Sequence, residues 1–250
     1  MSISTSISRF TSYYARHGFG ASVRRAVLAV RRGLFSNRMV VFYCDLARRA
    51  PPPEDLPSSL KVERLRSYLE LSPEDLHQVI HVWNPKLAHR NIKERFDQEA
   101  SLWLIRSGGG LAGYAWTLQG RTMVPYYLPL AEDDVHLFDF YVFPKYRGRA
   151  VIHFLVVYIL CRLSDDGAAR VFGEVAEWNH ASLSSYTTTP FRRLGRARMS
   201  RILGRTMACW DEDSRAEKKE SVRLIRAMTR TVRRDRAKVS VDSLERPPAK

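Results

Sequence analysis

Between residues 60 and 207 the apolar positions switch repeatedly between every second residue and every third or fourth. Leu60, Val62 and Leu65 set against Lys61, Glu63 and Arg64 predict a strand over 60–65. Ser72-Pro73-Glu74-Asp75 combines a capping serine, a first-turn proline and trailing acids, so helical segments are predicted from there to about residue 100. A strand follows over 101–107, Gly108-Gly109-Gly110 turns the chain, and 111–118 returns as its hairpin partner. A longer strand over 135–143 is stopped by Pro144, and a helix covers 150–163. Asp165-Asp166-Gly167 then turns into a strand over 170–178, a short helix over about 181–187 and a last hairpin over 191–207. This order predicts an α/β domain: a mixed, centrally antiparallel sheet flanked by helices.

The flanks read differently. Residues 6–35 suggest two short basic helices broken around Gly18 to Gly20, the second with Val23, Val27, Val30 and Leu34 at helical spacing. Met39 to Tyr43 is β-prone and short, as an edge strand would be. Pro51-Pro52-Pro53 to Pro57 marks a linker. Residues 216–238 suggest another basic helix with a thin apolar stripe, and Arg246-Pro247-Pro248 a disordered end. The expected organisation is a basic helical N-terminal extension over 1–50, a linker over 51–59, a catalytic-type domain over 60–210 and a basic tail over 211–250.

A chain of 250 residues, 45% apolar, suffices for one domain with a real core plus extensions. The longest apolar stretch, 151–163, is interrupted by His153 and too short to span a bilayer, so it is expected to be a core helix. Arginines 24, 25, 31 and 32 break the N-terminal apolar patch, so a signal peptide is not expected. Cys44, Cys161 and Cys209 are odd in number and widely spaced. They fit neither a disulfide framework nor a zinc site, which points to a reducing cytoplasm.

The net charge of +15 is unevenly placed. Residues 1–50 hold nine basic residues against one acidic, and 215–250 hold twelve against five, whereas 51–214 hold twenty of each. Basic ends around a neutral centre suit an anionic scaffold, such as the surface of an anionic membrane. No base-reading motif accompanies the charge, so nucleic acid is not the expected partner.

The stretch Val142-Phe143-Pro144-Lys145-Tyr146-Arg147-Gly148-Arg149-Ala150 carries the clearest chemistry. A strand ends at proline, a basic turn with one glycine follows, and an apolar helix begins. Backbone N–H groups at a helix start, with the positive end of its dipole, make an anion cradle. Gly148 lets the backbone approach a phosphate, and Lys145, Arg147 and Arg149 add full charges. After the next strand comes Asn179-His180-Ala181-Ser182-Leu183-Ser184-Ser185-Tyr186, then Phe191.

Together these two stretches resemble the GNAT superfamily of acyl-CoA-dependent N-acyltransferases. Its pyrophosphate loop, V-x-P-x-x-R-G-x-G/A, is matched by Val142, Pro144, Arg147, Gly148 and Ala150. Its later signature of Asn, a small residue, Tyr and Phe is matched by Asn179, Ser182, Tyr186 and Phe191. The resemblance covers about residues 60 to 207. Two positions depart from it: Lys145 stands where Gln or Arg is frequent, and Pro190, after three threonines, stands where the family has Gly before Phe.

The resemblance implies a GNAT-like sheet whose loop-bearing strand splays from the next parallel strand to admit pantetheine. It implies acetyl-CoA as cosubstrate, without a metal. The backbone at Val142 would pair with pantetheine, and Arg147, Gly148, Arg149, Ala150 and Val151 would hold the pyrophosphate. Asn179 would contact the cofactor or fix the turn. Glu174 would be the general base and Tyr186 the acid that protonates the departing sulfur, with His136 and Asp139 on the other strand as other carriers of the base role and Glu177 close by. The expected acceptor is a primary amine, foremost an amino sugar of envelope polysaccharide synthesis. A protein N-terminus or lysine, and a non-catalytic acyl-CoA-binding role, are the alternatives.

Overall fold

Eight strands form one sheet among the residues that the computed structural model describes, which are 38–47, 56–82, 85–202 and 205–211. In chain order they are β1 (Arg38–Asp45), β2 (Leu60–Leu65), β3 (Ser101–Ser107), β4 (Gly110–Gln119), β5 (Asp134–Val142), β6 (Arg170–Ala176), β7 (Arg192–Ile202) and β8 (Arg205–Trp210). The helices are α1 (Pro73–His81), α2 (Pro85–Asp97), α3 (Val151–Asp165) and α4 (His180–Thr187). The spatial order is β2-β3-β4-β5-β6-β1-β7-β8, antiparallel throughout except for the parallel pair β5 and β6. This is the mixed α/β architecture that the apolar pattern predicts. The predicted basic helices over 6–35 and 216–238, the disordered end at 246–248 and most of the proline-rich linker lie outside the described residues.

One expectation is corrected. Residues 39–43 are not an edge strand: β1 lies between β6 and β7 and pairs antiparallel with both. Its run Val40 to Cys44 is buried on both faces, which only an interior position provides. Val40, Phe42 and Cys44 pack towards α3, while Val41 and Tyr43 pack with Phe172, Leu194 and Leu128 on the other face. The first strand of the sheet therefore precedes the linker and shares one core with residues 60–210. The outermost strand β2 keeps charged residues at Lys61, Glu63 and Arg64, as exposed edges do.

The two faces are covered by different elements. On one, α3 buries Val151, Leu155, Val156, Ile159, Leu160 and Leu163 against β-strand residues such as Val135 and Leu137. Each such side chain contributes about 1.5–3 kcal/mol when fully buried. On the other face, α1 and α2 cover β3 and β4 through Val79, Ile92 and Phe96 against Leu104, Tyr114 and Trp116. Ser72 caps α1 by accepting from the Asp75 N–H at 3.1 Å, as its sequence predicts. Trp103 and Trp116 are core residues, 1% and 0% exposed. Among the described residues no helix is long and apolar enough to cross a membrane.

What positions the site is the parting of β5 and β6. They pair only over Asp134–Arg170, Val135–Val171 and His136–Phe172. Beyond that, β5 stays paired with β4 and β6 with β1, so each strand is held on its outer side and free on its inner side. A bulge assists the divergence: between Trp116–Phe138 and Tyr114–Tyr141, β5 carries an extra residue, and Asp139 takes φ +53°. Arg95 from α2 ion-pairs with Asp139 at 2.6 Å. The closed end is pinned by Arg170, whose guanidinium donates to Asp134 at 2.7 and 3.0 Å.

Candidate active site

The gap between the parted strands collects most of the chemistry. Glu174 sits on β6, two residues past the last paired position. By strand alternation it shares a face with Phe172, the face covered by the loop between β4 and β5. His136, the last paired residue of β5, reaches it: Nε2 lies 2.8 Å from Glu174 Oε2. The other nitrogen, Nδ1, is buried without a hydrogen-bond partner. His136 and Glu174 thus form one hydrogen-bonded pair.

Tyr186 arrives from the opposite face. Its ring stacks on Phe42 with centroids 4.4 Å apart, and Phe191 and Phe140 close around it at 5.1 and 6.0 Å. Its hydroxyl is buried, has no hydrogen-bond partner and lies against Gly173 of β6. A Cβ at Gly173 would stand 2.5 Å from that oxygen, so only glycine lets the phenol reach the gap. Burial, reinforced by the Glu174 carboxylate, pushes the Tyr186 phenol far above its ordinary value. The group stays protonated at any working pH.

The loop from Gly120 to Leu130 lines a cleft of about 580 Å³, and its Tyr126 and Tyr127 face Glu174. Tyr127 from this loop packs edge-on against Trp210, and its phenol is pushed up to about 12 by burial and then by Glu174. Tyr126 points its hydroxyl inward; that atom is buried and lacks a hydrogen bond of normal geometry. Burial first, then the facing Glu174, pushes this phenol up as well.

At the open end, Pro144–Tyr146 forms a single 3-10 turn and leads into α3. Gly148 has φ +76° and nothing within 4 Å of where a Cβ would be, so space lies open above its backbone. Ala150 takes a left-handed conformation, φ +55°, and no side chain caps α3. The first N–H groups of a 15-residue helix, starting at Val151, therefore point outward unshielded. Arg147, Gly148, Arg149 and Ala150 are exposed around them, and Arg147 Nε donates to the Val142 carbonyl at 3.2 Å. A diphosphate fits such a cradle, and the unpaired inner edge of β5 near Val142 suits an amide-bearing chain.

The remaining candidates separate from the gap. Asp139 is engaged by Arg95, and Glu177 pairs with Arg196 at 2.9 Å. Asn179 caps α4, its Oδ1 accepting from the Ser182 N–H at 3.3 Å, which is the turn-fixing role. The departure at Pro190 has a local explanation. Thr187, Thr188 and Thr189 donate their hydroxyls to the carbonyls of Ser184, Ser185 and Tyr186, closing the helix end without a glycine. Phe42 and Gly173 escape sequence reasoning; only Gly173, a glycine inside a strand, carries a readable signal. Among the described residues no group of three or more His, Cys, Asp or Glu is placed to hold a metal.

The sequence profile of the Acetyltransferase (GNAT) family matches residues 63–188, and the chain belongs to that family. No curated protein matches the sequence. Similar solved structures include a GNAT-family acetyltransferase from Novosphingobium aromaticivorans, at 14% identity over 62% of this chain and 59% of that one, TM-score 0.42. A Drosophila protein aligns at 20% identity over 70% and 55% of the two chains, TM-score 0.43. AAC(6')-Iy, solved with the bisubstrate analogue CoA-S-monomethyl-acetylneamine, aligns at 18% identity over 52% and 88%, TM-score 0.42. The chain thus spans less than two thirds of the Novosphingobium and Drosophila proteins.

Proposed function

We propose that this protein transfers an acetyl group from acetyl-CoA to the primary amine of an amino sugar by direct attack. The observation that carries the reading is the parted pair β5 and β6, with Glu174 entering the gap from one face and Tyr186 from the other. Val142, Arg147, Gly148, Arg149, Ala150 and Val151 would hold the cosubstrate, the helix N-terminus and two arginines facing its phosphates. Acetyl-CoA supplies, when bound, the thioester carbon that the amine attacks.

The protein's share is proton management. An alkyl amine with a pKa near ~10 arrives mostly protonated at neutral pH. Glu174, oriented by His136, accepts the ammonium proton. Tyr186 faces the same gap with a proton that it does not lose to solvent. Once Glu174 is protonated, burial still holds the Tyr186 proton but the added pull of the negative charge is gone, so taking one proton eases release of the other towards the departing sulfur. Base and acid are thereby coupled through one carboxylate.

The acceptor assignment rests on the cleft. Its loop, Gly120 to Leu130, carries two tyrosines, one arginine and no carboxylate. Aromatic faces suit a sugar ring, whereas a polycationic amine would find no acid on this wall. A panel of glucosamine, spermidine and an N-terminally free peptide with acetyl-CoA tests this, read by thiol release and product mass. Acetylated glucosamine is expected. Turnover of the peptide alone would move the reading to protein acetylation, and acetyl-CoA binding without any turnover would leave a sensor.

A further inference from the structure

The loop that lines the cleft also sends a side chain into the catalytic gap, and nothing above gives it a task. The Tyr126 ring lies on His136, centroids 4.7 Å apart, and on Tyr127 at 5.3 Å. Its hydroxyl is buried without a normal hydrogen bond, as are the Tyr186 hydroxyl and His136 Nδ1. Both phenols face one carboxylate, Glu174, which also bonds His136. Burying a hydroxyl without a full partner costs stability, and phenylalanine would fill the same space without that cost. Unsatisfied polar atoms clustered at one place mark where a polar ligand completes the set.

We propose that Tyr126 is a further catalytic residue, whose hydroxyl oxygen accepts one N–H of the acceptor's primary ammonium while Glu174 accepts another. The proposal rests on the acetyltransferase reading and specifies how its amine is held. A primary ammonium has three N–H donors, and the gap offers acceptors on Glu174 and on the Tyr126 oxygen. The Tyr126 O–H itself donates towards the facing carboxylate, so its oxygen lone pairs stay available to the amine. The proton then passes from nitrogen to the Glu174 carboxylate, and the electron pair of the broken N–H bond remains on nitrogen to form the new N–C bond; the C–S bond breaks with its pair on sulfur, which takes the Tyr186 proton, and the second proton shed by the new amide nitrogen returns to the Tyr186 oxygen. Tyr126 keeps hold of a second N–H, fixing the direction of that pair. Because Tyr126 belongs to the cleft loop, the wall that selects the acceptor also orients its nucleophile.

Tyr126→Phe removes the oxygen and keeps the ring on His136. Parent and variant are compared by thiol release with acetyl-CoA and glucosamine, by acetyl-CoA calorimetry and by thermal unfolding. A 10- to 100-fold fall in kcat/KM for glucosamine is expected, with acetyl-CoA affinity within twofold and a thermal midpoint no lower than the parent's. A kcat/KM within twofold of the parent overturns the proposal. So does a midpoint lowered by more than about 3 °C, because the hydroxyl would then be a structural donor. A parent that binds acetyl-CoA but releases no thiol with glucosamine counts against the amino-sugar acceptor alone; parent and variant are then compared with whichever amine of the panel the parent acetylates, and a kcat/KM within twofold again overturns the proposal.

Discussion

Replacing Gly173 with alanine puts a methyl group in the path of the Tyr186 hydroxyl. The added Cβ would stand 2.5 Å from that oxygen, about 0.9 Å inside ordinary van der Waals contact, and 3.1 Å from the Leu137 carbonyl oxygen. The phenol cannot tilt freely, because Phe42, Phe140 and Phe191 pack its ring. Overpacking of this kind costs about 1–3 kcal/mol. Alanine returns roughly 0.5–1 kcal/mol of that, because glycine weakens a strand interior. The expected net loss is on the order of 1 kcal/mol. Function suffers more: a reacting group moved by about 1 Å costs up to ~100-fold in rate. Tyr186→Phe removes the clashing atom and leaves the ring carbon at 3.5 Å from the new methyl, an ordinary contact. In that background only the 3.1 Å approach to the Leu137 carbonyl oxygen remains, so the alanine should cost less than in the parent. Urea unfolding of the parent, both single variants and the double variant measures this directly. A coupling of about 1 kcal/mol or more is expected, and additivity within about 0.5 kcal/mol would refute the placement of Tyr186 in the gap.

Other predictions follow from the same geometry. Glu174→Gln keeps an oxygen for His136 but cannot accept a proton, so kcat at pH 7 should fall about 10²- to 10⁴-fold with acetyl-CoA affinity unchanged. Thiol release within threefold of the parent would remove Glu174 as base. Stability should decline on the alkaline side. Burial raises the Cys44 thiol from 9.0 to about 11, and the Tyr127 phenol rises to about 12. The unfolded chain loses these protons first, so above about pH 9 the folded state binds more protons and stability falls as pH rises. Cys44 alone accounts for about 3 kcal/mol by the time both states are ionised. A thermal midpoint that stays level from pH 8 to 11 would contradict this.

Much of the fold was legible because strands and helices here differ plainly in period. The runs 60–65 and 101–107 match the observed strands, and the Ser72 cap starts α1 as predicted. The interior place of β1 was not legible. Its apolar run shows burial, but its partners, β6 and β7, lie far along the chain, and no local signal specifies that pairing. The site divides similarly. The cradle and Tyr186 stand out in motif-bearing stretches and Glu174 was reached only through the family resemblance, whereas the bond from His136 to Glu174 depends on the parallel register that sets His136 opposite Phe172. Tyr126 enters by the path of an irregular loop, which periodicity does not describe.

The central claim is that the turn before α3 holds acetyl-CoA, and calorimetry with the parent and Gly148→Glu tests it most directly. The substitution adds negative charge to the cradle and forces a side chain onto a backbone at φ +76° that has open space above it. Binding of acetyl-CoA by the parent, lost in a variant that unfolds at the parent's temperature, is the predicted result. Equal binding by both proteins, or none by the parent, would contradict the account.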